Sequence, residues 1–280
     1  MNRRSTLSTI LGQNKLAEPF VQSPSNPATS FAPYEGEWNF EQAAHLLRRT
    51  MYGPKKEEIE EAVELGLAGT IERLFQEEAM PAPPINIGFT AVDPLVPVGE
   101  PWVGIVLSEG DDSLRQRLRQ SRERSLYAWN FQLLVESGMS IREKMTLFWH
   151  NHFVVQNSTV RDPCYLYEYI ELLRENATGN FKELVQKITI NKAMLWYLNG
   201  NTNRKQSPNE NFARELFELF TIGRGPLAGP GDYTTFTEDD VIEAARVLTG
   251  WRTTDYLAVD IIEEASFNPS LHDTDSKQFS

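Results

Sequence analysis

What most constrains this chain is how often its sequence marks the start of a helix. Ser140 stands three residues before Glu143, at the head of REKMTLFWHNHFVV. At that spacing the hydroxyl can accept from the third helical N–H while the carboxylate reaches back to the capping residue, so two otherwise unpaired donors are satisfied together. Thr237 and Asp240 repeat the device before VIEAARVLTG, and Ser207, Pro208 and Glu210 add a proline at the first helical position, where no N–H is needed. Asn39 with Gln42 opens FEQAAHLLRRTMYG, Asp162 precedes Pro163 and YLYEYIELLRENA, and Asn180 precedes FKELVQKITI. Stops are equally legible at Gly53-Pro54, Gly138 and Gly223.

Between these signals lie a helical pair, KKEEIEEAVELG and LAGTIERLFQEE, and a long stretch, 113–137, with apolar Leu118, Leu126, Trp129, Phe131, Leu133 and Leu134. Lys192 to Leu198 adds a short apolar piece. From Met80 to about Gly110 the chain turns to Pro, Gly and isolated aliphatics, which cannot sustain a helix. Its apolar members, Ile85, Ile87, Phe89, Leu95, Val96, Trp102, Val103 and Ile105, predict a segment wrapped over the body, with a mobile lid as the second reading. The predicted fold is mainly α: a multi-helical globular body with a long Pro/Gly-rich irregular insertion and little or no sheet. Any strand content is expected within 85–106 or 256–268. Residues 1–36, rich in Ser, Pro, Asn and Thr, read as a flexible leader, and 37–280 as a single helical domain.

A net charge of -12 argues against nucleic acid or an anionic bilayer as the main partner, since both draw Lys and Arg. The run RQRLRQSRER could grip phosphate or sulfate, but its arginines spread around a helix and read better as a solvated face paired with nearby acids. Cys164 is the one cysteine, so neither an intrachain disulfide nor a thiolate metal cage can form, and it reads as a small buried helical residue. Arg3 and Arg4 give a twin-arginine-like start, but the following apolar stretch falls short of the ~7 to 15 residues of an export signal, so cytoplasmic and exported locations both stay open. No run of ~18 apolar residues provides a transmembrane span.

Chemistry has three candidate locations. His150 and His152 could bind a metal or move a proton, yet residues two apart on a helix point ~200° away from one another, so they can share an ion only if the segment is unwound. Glu210, Arg214 and Glu218 fall four apart and would make a ladder of one guanidinium between two carboxylates, on the surface or partly buried. His272-Asp273 could form a metal pair. His45 reads as a packing residue. No nucleophile elbow, phosphate-binding glycine loop, dinucleotide fingerprint or helical zinc-protease motif occurs, and GRGPLAGPGD reads as a flexible connection.

Several segments taken together resemble a bacterial family known as domain of unknown function 1800. They are AAHLLRRTMYGP with EEAVELGLAGTIERLF, REKMTLFWHNHFVV, the stretch from ENATGNFKEL through LNGNTNRKQSPNENFARELFELFTIGRG, YTTFTEDDVIEAARVLTGW, and FNPSLHDTDSK. The resemblance spans residues 41–280 in order. It implies a bacterial origin, often an exported context, and a helical body, and it carries no established reaction. Members continue beyond the His-Asp segment, so the chain is expected to correspond to an N-terminal, truncated portion. The matched motifs contain His150, His152, Asn209, Glu210, Arg214, Glu215, Glu218, His272 and Asp273, while RGPLAGPGD departs from the family pattern.

Two functions follow as expectations. The first is an uncharacterised non-catalytic scaffold or binding module at the cell envelope, with a protein or small-molecule partner, in which these residues form hydrogen-bond and ion-pair networks. The alternative is a metal-assisted hydrolase or other enzyme. There His150 or His152 would act as base or ligand, Glu210 and Glu218 as carboxylates, and Arg214 as anchor for an anionic substrate. His150, His152, His272 and Asp273 would be the oxygen and nitrogen ligands of a divalent metal such as zinc, manganese or iron.

Overall fold

A computed structural model describes residues 33–89, 92–105, 112–229, 232–253 and 265–280. The chain divides into two units, Met1–Glu37 and Trp38–Ser280. The leader expected over 1–36 lies almost wholly outside the described residues. All of the structure below belongs to the second unit, which is mainly α-helical.

Helix α1 (Phe40–Thr50) starts where Asn39 accepts from the Glu41 N–H at 3.0 Å. The predicted pair that follows is one element, α2 (Lys56–Leu74), broken at Gly66, whose φ of +70° takes the backbone out of helical space. After the long loop come α3 (Asp112–Glu136), α4 (Arg142–His152), the single turn α5 (Asn157–Val160) and α6 (Pro163–Glu175). Asp162 caps α6 ahead of Pro163, accepting from the N–H groups of Cys164 and Tyr165 at 2.8 and 3.2 Å. Asn180 caps α7 (Phe181–Thr189) and Asn191 caps α8 (Lys192–Tyr197). Then α9 (Glu210–Glu215) runs on as a π-helical turn over Leu216–Phe220, and α10 (Glu238–Val247) opens on the complete Thr237–Asp240 capping box.

Two predicted caps are corrected. The Ser140–Glu143 box does not form: Ser140 accepts from the Arg142 N–H at 3.3 Å, while Glu143 turns inward to Arg174. A charge-assisted ion pair with a buried guanidinium outcompetes a cap bond to a neutral N–H. Ser207 does not cap α9 either. It closes a tight turn by donating its N–H to the Arg204 carbonyl at 2.8 Å, and Asn209 takes the cap, accepting from the Asn211 N–H at 3.1 Å.

The main core is built around α6, where Tyr165, Tyr169 and Leu173 recur every fourth residue on a fully buried face. Onto that face pack Leu126 of α3, Phe153, Leu184 and Ile188 of α7, Met194 and Leu195 of α8, and Phe212 of α9. Complete burial of such side chains contributes about 1.5–3 kcal/mol each. A smaller cluster joins α1 and α2 through Ala43, Leu47, Ile59 and Leu74, and another joins α9 and α10 through Ala213, Val241 and Ala245.

The segment between α2 and α3 wraps over α3, held by fewer apolar anchors than its composition predicts. Val96 and Trp102 are buried, whereas Ile85, Ile87, Phe89 and Leu95 stay exposed. Polar contacts complete the attachment: the Trp102 indole donates to Ser125 at 2.8 Å, the Trp129 indole to the Ala82 carbonyl at 2.7 Å, and Arg122 pairs with Asp93 at 2.8 Å. Part of the RQRLRQSRER run therefore fastens this loop instead of facing solvent. Strand content is slight. The pair β3 (Trp251–Arg252) and β4 (Ser266–Phe267) lies partly in an expected region, as does the Ile85–Pro101 bridge. The pair β1 (Leu227–Gly229) and β2 (Asp232–Tyr233) falls in the stretch read as a flexible connection, because so short a pairing leaves no alternation to detect.

Candidate functional site

Three of the sequence motifs meet around one side chain. Asn203, fully buried, donates its amide to the Ala245 carbonyl of α10 at 3.0 Å and accepts the Asn209 N–H at 2.8 Å, while its own carbonyl accepts the Gly250 N–H at 3.1 Å. The LNGNTNRKQSPNENF loop is thereby stitched to the α10 end in VLTGW. The FNPSLHD segment joins through the Lys205 N–H, which donates to the Leu271 carbonyl at 2.8 Å, and through the Asn268 N–H, which donates to Gly250 at 2.8 Å. Gly250 has φ +98°, and an added Cβ would stand 3.0 Å from the Asn268 carbonyl, so strand and loop approach there as only glycine permits.

These connections frame an open cleft of about 860 Å³. Asn199, Asn201, Thr202, Arg204, Ser207, Pro208, Asn209, Glu210 and Arg252 line it. Asn199 sits in the left-handed region at φ +57°, and Asn209 donates to the Leu198 carbonyl at 2.9 Å, fixing the loop's two ends together. Arg252 reaches from β3 to donate to the Asn201 carbonyl. Burial and the neighbouring Arg204 charge both hold the Arg252 pKa below its ordinary value. Among the described residues, neither arginine has a carboxylate within ion-pair distance.

Of the residues singled out as catalytic, Glu210 alone lines this cleft. It lies 4.0 Å from Arg214, whose guanidinium is instead paired in two-point fashion with Glu238 at 2.6 and 2.7 Å. That hydrogen bonding raises the Arg214 pKa and lowers that of Glu238. Glu218 lies on the π-helical turn, off the α-helical register, and pairs with Arg224 at 2.7 Å. Of the predicted three-residue ladder the Glu210–Arg214 rung remains, at 4.0 Å, while Glu238 and Arg224 make the tighter bridges to Arg214 and Glu218.

Both histidines of α4 lie on continuous helix, and each has a defined ring proton. Tyr169 donates its hydroxyl to the Phe153 carbonyl at 2.7 Å, so at the 3.1 Å contact with His150 the imidazole Nδ1–H must be the donor. Burial lowers the His150 pKa below 6.5. His152 donates through Nε2 to the Phe220 carbonyl at 2.8 Å, tying α4 to the end of the π-helical turn. Near the C-terminal segment, His272 donates through Nδ1 to the Thr249 carbonyl at 2.9 Å. Asp273 accepts from Arg246 at 2.8 and 3.2 Å, and the hydrogen bond from that guanidinium drives its pKa well below the carboxylate range. Among the described residues, no group of three or more His, Cys, Asp or Glu is placed to hold a metal ion.

Sequence reasoning missed Arg174, Asn203, Arg204 and Arg252. Arg174 is fully buried beneath Trp129 and held by Glu143 and Glu171. Nothing in LLRENA marks it, whereas the density of asparagine in LNGNTNRKQSPNENF was a usable sign of a built polar loop. Cys164 lies on α6, and burial followed by the Asp162 charge pushes its thiol up to about 12, so it stays protonated at neutral pH.

No helix among the described residues is long and apolar enough to cross a membrane. Comparison with curated proteins and with solved structures finds no match. A family model does match, over residues 45–280, and it takes in the Asn203 crossing, the cleft and the two α4 histidines. On that match the chain belongs to the family described as protein of unknown function DUF1800.

Proposed function

We propose that this chain is a non-catalytic binding module whose motif histidines and acids hold helices in place and whose ligand face is the Asn199–Glu210 cleft. The observation that carries the reading is the commitment of His152, Arg214, His272 and Asp273 to bonds between elements, with Glu210 alone of the catalytic candidates left lining the cleft. His152 joins α4 to the π-helical turn, Arg214 joins α9 to α10, and Asp273 with His272 seals the FNPSLHD segment against the end of α10. A group of this kind positions backbone; a catalytic acid or base keeps a polar atom turned toward a substrate.

Thermal melts of Asp273→Asn, His152→Gln and Arg214→Ala test it, each run with and without added zinc or manganese. The module reading expects every variant to melt lower than the parent chain, with no metal-dependent rise that the substitutions abolish. Midpoints unchanged in all three, or a rise with metal that His152→Gln and Asp273→Asn remove, would favour the metal-assisted enzyme instead.

A further inference from the structure

We infer that the cleft framed by Arg204 and Arg252 binds a small organic anion, an oxyanion head held by the two guanidiniums and a hydroxyl-bearing body held by the neighbouring amides. The inference rests on the binding-module reading and names its ligand class.

The argument begins with charge. A chain carrying -12 has carboxylates in excess, and several buried or half-buried arginines of this body are taken up by them: Arg122 by Asp93, Arg174 by Glu143, Arg214 by Glu238, Arg246 by Asp273. Arg204 and Arg252 instead face one shared space. The fold brings two like charges from separate elements to one cleft, where the Arg204 charge disfavours that of Arg252, with no carboxylate within ion-pair distance of either among the described residues. Like charges gathered at one cleft favour a bound anion, and guanidiniums are suited by their planar donor geometry to phosphate, sulfate or carboxylate.

The surroundings supply the rest. Asn199, Asn201 and Ser207 line the same space, residues whose amides and hydroxyl suit hydroxyl groups as donors and acceptors, with Glu210 as a further acceptor. Among the described residues the lining is non-aromatic and, Pro208 apart, polar, which suits a hydroxyl-bearing body better than a stacked base. At about 860 Å³ the space far exceeds an inorganic ion and falls in the range of small-molecule sites. The frame is also set beforehand: Asn203 and Asn209 anchor the loop from beneath, and Gly200 lets it lie against Phe212, where an added Cβ would come within 2.9 Å of the ring.

The test is titration calorimetry on the full chain at low ionic strength. The probes are glucose 6-phosphate, glucose 6-sulfate, glucuronate, inorganic phosphate and uncharged glucose. Saturable binding of at least one sugar anion is expected, weakened about tenfold or more by Arg204→Gln and unchanged by Arg48→Gln, an exposed cation on α1. Which sugar anion binds tightest identifies the oxyanion. Arg204 is exposed, so its replacement leaves the fold intact, and Arg252→Lys provides a second variant that keeps charge but loses the fork. No saturable binding of any sugar anion, equal binding by Arg204→Gln, or binding of inorganic phosphate alone would overturn the proposal. Release of free phosphate or sulfate from a bound probe would overturn the non-catalytic reading and leave the anion site standing, whereas absence of binding leaves the melts of Asp273→Asn and Arg214→Ala to judge that reading separately.

Discussion

Arg174 of α6 and Glu143 of α4 face one another in a two-point ion pair, 2.7 Å from Nε to Oε1 and 3.0 Å from Nη2 to Oε2, with the arginine side chain 0% and the glutamate 8% exposed. Burial opposes the Arg174 charge, but Glu143 and Glu171 more than offset it, and its pKa stands above the ordinary value. The pair joins two core helices at the place where the sequence promised only a helix cap. Breaking it leaves one charge buried without its partner.

Arg174→Met should therefore destabilise the fold by about 3–5 kcal/mol. The double replacement Arg174→Met with Glu143→Leu should recover a large part of that loss, because both charges then leave the interior together. Urea unfolding midpoints at constant slope measure both. A single variant as stable as the parent chain would show that the pair does not hold α4 to α6.

His150 gives a second expectation, set by pH. Its folded pKa lies below 6.5 through burial, so the folded state prefers the neutral ring and the unfolded chain binds the proton more readily. Nothing is lost above 6.5. As pH falls through that value the unfolded chain gains protons first and stability declines, until the folded ring titrates too. His150→Gln should flatten this part of the stability profile while keeping a donor for Tyr169. Stability measured from pH 8 down to pH 5 would refute the assignment if parent and variant showed parallel slopes.

Asp240 acts in the opposite range. Burial works to raise its pKa, but hydrogen bonds from Ser280 and Thr237 outweigh that and hold it at about 2, below the ordinary 3.8. Its contribution is complete above 3.8 and fades as pH falls through about 2. Asp240→Asn should melt lower than the parent at neutral pH, with the difference shrinking between about pH 4 and pH 2 as the native carboxyl is protonated. A constant gap across that window would place the stabilising charge elsewhere.

How far the sequence could be read follows from the range of each interaction. Asn39, Asp162, Asn180 and Thr237 were legible because a cap is decided within three or four residues, and the stops at Gly53, Gly138 and Gly223 because a positive φ is a property of one residue. Ser140 misled because its partner in the box, Glu143, answers to Arg174, which lies thirty-one residues further along the chain. Ser207 misled for a related reason: the tight turn back to Arg204 and the Asn203 crossing place the cap at Asn209. The histidines were found as residue types, but their partners, Tyr169, Phe220 and Thr249, are up to sixty-eight positions away, so their roles were not. The cleft arginines were hidden for the same reason. Arg204 and Arg252 become a pair only when β3 is laid against the loop.

That crossing offers the last expectation, because one residue serves both the fold and the cleft. Replacing Asn203 by Ala removes the donor to the Ala245 carbonyl and the acceptor of the Asn209 N–H, each a buried bond whose orphaned partner costs about 1–3 kcal/mol. The loss should appear as a lower unfolding midpoint. It should also loosen the loop that carries Arg204, so anion affinity should fall even at temperatures where the variant remains folded. Asn203→Asp separates the two effects: it keeps the acceptor for Asn209 but loses the donor to Ala245, and it sets a carboxylate beneath the arginine pair. If Asn203→Ala bound a sugar anion as tightly as the parent chain while melting lower, the loop would be holding its shape by other means, and the buried asparagine would serve stability alone.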